Sequence, residues 1–230
     1  MTEVDVRQRI LAANELAAAG LRERFRRSGT LVLNLISSPG SGKTTLLEAT
    51  VKALAGELKF GAIEGDIATE RDADRLRALG VPAHQILTGG ACHLDARQVV
   101  NAMDAAPLDG LDVLFIENVG NLICPTSYDL GEDFKVALLS VTEGEDKPFK
   151  YPAIFSRAAV TVITKLDLLP HVPFALDEVL AQLRTLRPDG RVLQLSSRTG
   201  AGMDAWCELL RERWASKRSH AGAGAPPPSR

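Results

Sequence analysis

Apolar residues along this chain fall into short continuous runs that alternate with stretches of helical period. Residues 5–27 carry Val6, Ile10, Leu11, Leu16, Leu21 and Phe25 with charged residues between them, a pattern that predicts a helix. Continuous apolar runs at 31–36, 58–64, 111–117, 136–141 and 159–164, with shorter ones at 85–88 and 191–195, read as strands. Stretches starting at Leu46 and spanning 70–79, 94–103, 172–186 and 203–214 read as helices. Strands alternating with helices predict an α/β fold, a mostly parallel central sheet with helices on both faces. The expected organisation is an N-terminal helix over 1–30 packed on a single domain over 31–217, then a disordered tail over 218–230. The tail's end, Ala221 to Arg230, is rich in Gly, Ala and Pro and has no core former.

The chain has 230 residues and a net charge of −2. That length supports one domain with a sizeable core. The charge argues against nucleic acid as a partner, since no basic stripe is present to neutralise phosphates. No apolar run approaches the ~20 residues of a membrane span. The first residues lack the basic and apolar regions of a signal peptide. Three cysteines, Cys92, Cys124 and Cys207, are too few and too scattered for a disulfide framework. A cytoplasmic, reducing compartment is expected. Cys207, beside Trp206 and Leu209, reads as core.

Residues 37–45 are Ser-Ser-Pro-Gly-Ser-Gly-Lys-Thr-Thr, placed between a strand and a helix. A P-loop needs that context, because backbone N–H groups of the turn and the helix N-terminus must converge on an anion. Pro39, Gly40, Ser41, Gly42 and Thr45 form the cradle, Lys43 reaches the β and γ phosphates, and Thr44 offers a hydroxyl to Mg²⁺. The usual motif opens with Gly, and here that position is Ser37. A Gly/Ser turn with a chance Gly-Lys-Thr is the plainer alternative.

The strand 111–117 ends in Glu117, followed by Asn118-Val119-Gly120. A carboxylate there holds Mg²⁺ through water, and Gly120 lets an N–H approach the γ phosphate; the usual residue is Asp. Asp66 ends the strand 58–64 on the same sheet edge, where ligands bind in open α/β sheets. It is the candidate for orienting the attacking water or a Mg²⁺-bound one, with an exposed turn acid as the alternative. The catalytic candidates are therefore Lys43, Asp66 and Glu117. Thr164-Lys165-Leu166-Asp167 resembles the Asn-Lys-x-Asp guanine motif of GTPases, with Thr in place of Asn. In that motif the Asp carboxylate accepts from guanine and the Lys stem covers the base. Ser196, Ser197 and Arg198 follow the last strand, where GTPases carry a loop that touches the base. The order of these pieces favours GTP over ATP.

Gly89-Gly90-Ala91-Cys92-His93 again follows a strand. A thiolate beside an imidazole suits Zn²⁺ or Ni²⁺, but two ligands cannot close a site. Cys124, in Asn121-Leu122-Ile123-Cys124-Pro125, is a third donor, and a symmetric dimer pools enough. The alternative is that Cys92 is a buried small apolar residue and His93 a polar group at a helix N-terminus.

Together these segments resemble the HypB family, GTPases that assist nickel insertion during nickel–iron hydrogenase maturation. The resemblance runs from about Arg9 to Trp214 and rests on the segments 37–48, 64–69, 88–94, 117–125, 142–152 and 164–170. It explains Ser37 and Glu117, since the family carries those residues there. It implies a P-loop NTPase that hydrolyses GTP to GDP and dimerises across its nucleotide sites. It also implies a nickel or zinc site formed by Cys92, His93 and Cys124 at the dimer interface. The implied partners are the nickel metallochaperone HypA and the hydrogenase large-subunit precursor. Residues 1–30 contain neither Cys nor His, so the N-terminal nickel motif of some members is not expected.

Three other classes compete. A urease-type maturation GTPase usually places Pro between the Cys and His of its metal motif, and Cys92-His93 has none. A regulatory GTPase switch leaves the Cys and His without a role. A P-loop kinase leaves Lys165 and Asp167 without one. The eight residues from Glu117 to Cys124 join a γ-phosphate sensor to a metal ligand, so nucleotide state is expected to move Cys124 relative to Cys92 and His93. Leu168, Leu169, Val172 and Phe174 either extend the dimer contact or enter the core. Lys147 is a candidate for action across the dimer.

Overall fold

The computed structural model describes residues 3–66 and 71–222, with side chains from residue 8 to 220. Among the described residues seven strands form one parallel sheet: β1 (Leu31–Ser37), β2 (Phe60–Asp66), β3 (Ala83–Leu87), β4 (Val113–Glu117), β5 (Phe134–Ser140), β6 (Val160–Thr164) and β7 (Arg191–Gln194), in the order β3-β2-β4-β1-β5-β6-β7. Among the described residues the α-helices are α1 (Glu3–Ser28), α2 (Lys43–Ala53), α3 (Arg71–Arg77), α4 (Ala96–Ala105), α5 (Lys147–Lys150), α6 (Pro152–Arg157), α7 (Leu176–Leu186) and α8 (Met203–Gly222).

The period-2 alternation of a strand assigns each face. Leu33 and Leu35 of β1, Phe115 of β4 and Leu138 of β5 point to the layer of α2, α3 and α8, where Trp206 is fully buried. Val32 and Ile116 point the other way, onto α1 and α4, and Ala137 and Ile163 point onto α6 and α7. Burial on both faces explains why these strands are continuous apolar runs. All seven C-terminal strand ends share one edge, and β1, at the centre, has neighbours reached by crossovers on both sides. That switch in strand order opens a crevice at the end of β1.

The N-terminal helix is present and buries Leu21 and Phe25 as expected, but the first half of its buried face differs from the expected one. Asn14, Ala18, Leu21 and Phe25 are buried, whereas Leu16 is 79% exposed and Ile10 50% exposed. Asn14 fixes this face: its Oδ1 accepts from the Ala96 amide at 2.8 Å and its Nδ2 donates to the Asp129 carbonyl at 2.8 Å. Arg24 adds a bond to Asp104 at 2.7 Å, tying α1 to α4. The side chain of Val6 lies outside the described residues, as does Glu70, the expected start of α3.

Helix α7 starts at Leu176, not at Val172. Leu166–His171 forms a 3-10 turn, and Val172, which precedes a proline, is extended at φ −132° and ψ 146°. Leu168, Leu169, Val172 and Phe174 are half-buried and pack against the α6–α7 layer. Helix α8 runs eight residues beyond Trp214, so residues 218–222 of the expected disordered tail are helical. Lys217 bonds Asp133 at 2.5 Å and Arg218 stacks over the Trp214 ring at 5.3 Å, which extends the helix along the domain. The rest of that tail, 223–230, lies outside the described residues.

The observed face of α1 makes a pair of substitutions diagnostic. Leu21→Ala is expected to cost about 2–5 kcal/mol in urea unfolding. Leu16→Gln is expected to change stability by less than about 0.5 kcal/mol. Equal losses would contradict the assigned face.

Candidate functional site

Strand β1 delivers the chain into the loop 38–42, and α2 begins at Lys43. Gly40 and Gly42 take φ of 76° and 97°, the left-handed turns that fold the loop around an anion-sized space. Lys43 is 7% exposed, and its ammonium donates to Ser37 Oγ at 3.0 Å. Ser41 Oγ donates to the same oxygen at 2.5 Å. Ser37, the departure from the usual glycine, thus holds both the lysine and the loop. Gly120 presses against this loop: a Cβ there would meet Pro39 at 2.8 Å, so no larger residue fits without moving one of the two segments.

Glu117, at the end of β4, is 6% exposed and accepts from Thr44 Oγ1 at 3.2 Å; Lys43 Nζ lies 3.8 Å away. Its register partner on β2 is Glu64, also buried. Burial and the neighbouring Glu117 push the Glu64 carboxyl well above the ordinary glutamate range, toward its neutral form. Burial also pushes Glu117 up, opposed by Lys43 and by hydrogen bonds from Glu64 and Thr44. Glu64 Oε1 and Gln85 Oε1 are buried acceptors without a hydrogen-bond donor. Asp66 lines the same cleft of ≈ 500 Å³ as Lys43, Thr44 and Glu117. Clustered oxygens with spare lone pairs fit a hard cation such as Mg²⁺.

A second cavity of ≈ 220 Å³ adjoins the first and shares Gly42, Thr45 and Lys165 with it. Thr164 Oγ1 donates to the Ser41 carbonyl at 2.6 Å, so Thr serves as a tether to the P-loop. Lys165 is the one non-glycine residue with positive φ among the described residues, at 57°, and its ammonium reaches the Gly40 carbonyl at 2.6 Å. Asp167 accepts from Ser196 Oγ at 2.6 Å, with Arg198 3.8 Å from its other oxygen; Ser197 lines the same cavity. The cavity thus has a carboxylate at its base and a lysine stem along one wall.

The third feature is a donor cluster. One ligand atom each from Cys92, His93 and Cys124 lies within 4.8 Å of the other two. Cys92 is exposed, which removes the reading of it as a buried apolar residue. Nor is His93 a helix cap: Asp95 caps α4, accepting from the Gln98 amide in a full capping box. The Cys124 thiol and burial push the Cys92 thiol up. Burial lowers His93, keeping the imidazole in the neutral form that ligates metals. The Tyr128 ring packs against the His93 ring, with centroids 3.9 Å apart and planes tilted by 35°. Thiol and imidazole donors fit a borderline-soft divalent ion.

Sequence reading missed several residues here. Glu64 carried a signal, a lone acid inside a buried strand run. Arg75, bonded to Glu48 at 2.9 Å and to Asp72 at 3.2 Å on the rim of the cleft, had none, because only the fold brings α3 to α2. Tyr128 likewise reaches His93 only through the 3-10 turn Cys124–Ser127.

A family profile described as the CobW/HypB/UreG nucleotide-binding domain matches residues 31–194. The chain is similar to the hydrogenase maturation factor HypB of Escherichia coli (strain K12), at 49% identity over 210 residues, which are 91% of this chain and 72% of that protein. It is similar to the hydrogenase/urease maturation factor HypB of Helicobacter pylori, at 43% identity over 215 residues, 92% of this chain and 88% of that one. The solved structure of Helicobacter pylori HypB in complex with nickel matches with TM-score 0.84 and 42% identity, covering 89% of this chain and 96% of that chain. The hydrogenase maturation factor HypB from Archaeoglobus fulgidus matches with TM-score 0.84 and 39% identity, over 89% and 100%.

The upward shift of Glu64 generates a stability prediction. Below the ordinary glutamate range, folded and unfolded chains both hold the proton. Above it the unfolded chain releases the proton, while the folded chain must keep it or bury a second charge. Stability of the nucleotide-free protein therefore falls as pH rises. Glu64→Gln, neutral at every pH, is expected to melt a few degrees above wild type at pH 8, the gap closing toward pH 5. A gap independent of pH would contradict a protonated Glu64.

Proposed function

The chain belongs to the HypB branch of the CobW/HypB/UreG family, and from that premise we propose that it is a GTPase that gates nickel delivery to a hydrogenase large-subunit precursor. The observation that carries this reading is the position of the Cys92, His93 and Cys124 donors. They sit on the loops that follow β3 and β4, and the β4 loop also frames the phosphate cleft.

In this reading Lys43 leaves Ser37 for the β and γ phosphates, and the amides of residues 40–45 surround them. Thr44, Asp66 and Glu117 would hold Mg²⁺, and the bound ion would neutralise charge that develops on the phosphates. Asp66 orients the attacking water, and Gly120 presents its amide to the γ phosphate. Asp167 accepts from the two N–H donors on one edge of guanine, an edge that adenine lacks. The Lys165 stem covers the base, and Ser196, Ser197 and Arg198 close the far side. Nickel, with zinc as competitor, is cargo held by Cys92, His93 and Cys124. Three donors per chain fall short of a four-coordinate shell, so the nucleotide-bound state favours a homodimer that pools both sets. Lys147, stacked over Tyr151 at 5.6 Å, lies near Gly120 and Ile123 on that face. A HypA-type metallochaperone supplies or receives the metal, in the cytoplasm. Among the described residues no helix is long and apolar enough to cross a membrane.

Two measurements test this function. Asp167→Ala is expected to weaken GTP binding about 10-fold or more, the loss of charge-assisted hydrogen bonds, and to leave ATP binding, weak in both proteins, unchanged. Cys92→Ala is expected to abolish Ni²⁺ binding in a competition titration. Equal turnover of ATP and GTP, or unchanged nickel binding without Cys92, would overturn the corresponding half of the reading.

A further inference from the structure

Between the nucleotide cleft and the donor cluster lies a buried polar side chain whose bonds span both. Asn118 follows Glu117 directly and is 1% exposed. Its Oδ1 accepts from the Leu94 amide at 3.1 Å and from the Val119 amide at 3.1 Å. Its Nδ2 donates to Asn34 Oδ1 at 3.3 Å, and Asn34 passes the chain on to Glu132 Oε1 at 3.3 Å. An amide buried in an apolar core is costly unless it is bonded. A network of this kind therefore holds one arrangement tightly and resists intermediate ones.

The Leu94 amide matters because of what surrounds it. Leu94 follows Cys92 and His93 and precedes Asp95, the cap of α4, so its amide has no helical partner. The Leu94 side chain is fully buried against Gly65 of β2, between Glu64 and Asp66: a Cβ on Gly65 would stand 2.9 Å from it. The loop bearing Cys92 and His93 is thus pinned to β4 through Asn118 and to β2 through Leu94. A second bond ties the same two loops nearer the surface. Asn121 Nδ2 donates to the Cys92 carbonyl at 3.2 Å, while its Oδ1 accepts from the Ile123 amide at 2.8 Å, one residue before Cys124.

We propose that Asn118, with Asn121 as its surface partner, is the positioning element that couples the nucleotide cleft to the metal donors. The proposal rests on the function given above. Glu117 touches Thr44 and Gly120 touches Pro39, so a γ phosphate and its cation must act on both ends of the 117–120 segment. Asn118 sits inside that segment. Any turn of its peptide is transmitted to Leu94, and through Leu94 to the spacing of Cys92 and His93 from Cys124. Neither asparagine touches a metal donor atom; both act through the backbone that carries the donors.

The test is the ratio of Ni²⁺ affinities in the GDP state and in the state bound to a non-hydrolysable GTP analogue. It is measured by competition on the full chain, for wild type, Asn118→Ala and Asn121→Ala. In wild type the ratio is expected to differ from one by about 5-fold or more. In Asn118→Ala it is expected to collapse toward one, with nickel still bound in both states, and in Asn121→Ala to shrink in the same direction. A merely structural role would lower the melting temperature and leave the ratio unmoved. Asn121 is half-exposed, so its variant keeps the test open if Asn118→Ala does not fold. A wild-type ratio retained in the folded variants overturns the proposal and leaves the nickel-binding function standing. A wild-type ratio of one with normal nickel binding overturns the coupling alone. No nickel binding by wild type in either state overturns the function and the proposal together.

Discussion

Three ionisable side chains meet, almost fully buried, at the C-terminal edge of the sheet: Lys43, Glu117 and Glu64. Buried charges are tolerated only when they are paired and hydrogen-bonded. Here one carboxylate faces one ammonium, and burial together with that carboxylate pushes the second acid, Glu64, toward its neutral form. The rest of the site depends on that balance. It fixes Glu117 under Thr44, and hence the direction in which the 118–124 segment leaves the sheet. It parks Lys43 on Ser37, where phosphate oxygens are an alternative partner. A terminal phosphate dianion with its cation would act on the charged members of this set directly.

From there the architecture is a matter of adjacency. The ends of β1, β2 and β4 lie side by side, so the P-loop, Asp66 and Glu117 share one cleft. Strand β6, reached across β5, brings Thr164 and Lys165 back onto the P-loop from the other side. The loops after β3 and β4 carry the sulfur and nitrogen donors. The nucleotide cleft and the donor cluster are thereby built from neighbouring strand ends, with Asn118 between them. A change in one loop has little room to remain local in so close-packed a setting.

The strand runs and the P-loop were legible in the sequence because each has a local physical signature. A strand buried on both faces is a continuous apolar run, and an anion cradle needs glycine where φ is positive. The donor cluster was only half legible. Cys92 and His93 are adjacent, but the proximity of Cys124 is a property of sheet order, in which β2 alone separates β3 from β4. The apolar pattern of α1 finds Leu21 and Phe25, which are buried, but not Asn14, and it includes Ile10 and Leu16, which are exposed. A polar residue bonded to two backbone groups sets that face, and Leu16 is left outside. Glu64 was readable as a lone acid in an apolar strand run, whereas Arg75, Asn118 and Tyr128 act through partners distant in sequence that no spacing rule reaches. The start of α7 was misplaced for a local reason that was readable, the proline after Val172.

The central claim is that nucleotide and nickel share one free-energy balance in this domain. Linkage requires the effect to be reciprocal. The most direct measurement is therefore the affinity of the wild-type chain for a non-hydrolysable GTP analogue, without metal and at saturating Ni²⁺, with GDP alongside. The account predicts that nickel changes the preference for the analogue over GDP, by the same factor by which the nucleotide changes nickel affinity. An analogue-to-GDP preference that saturating nickel leaves untouched would contradict it.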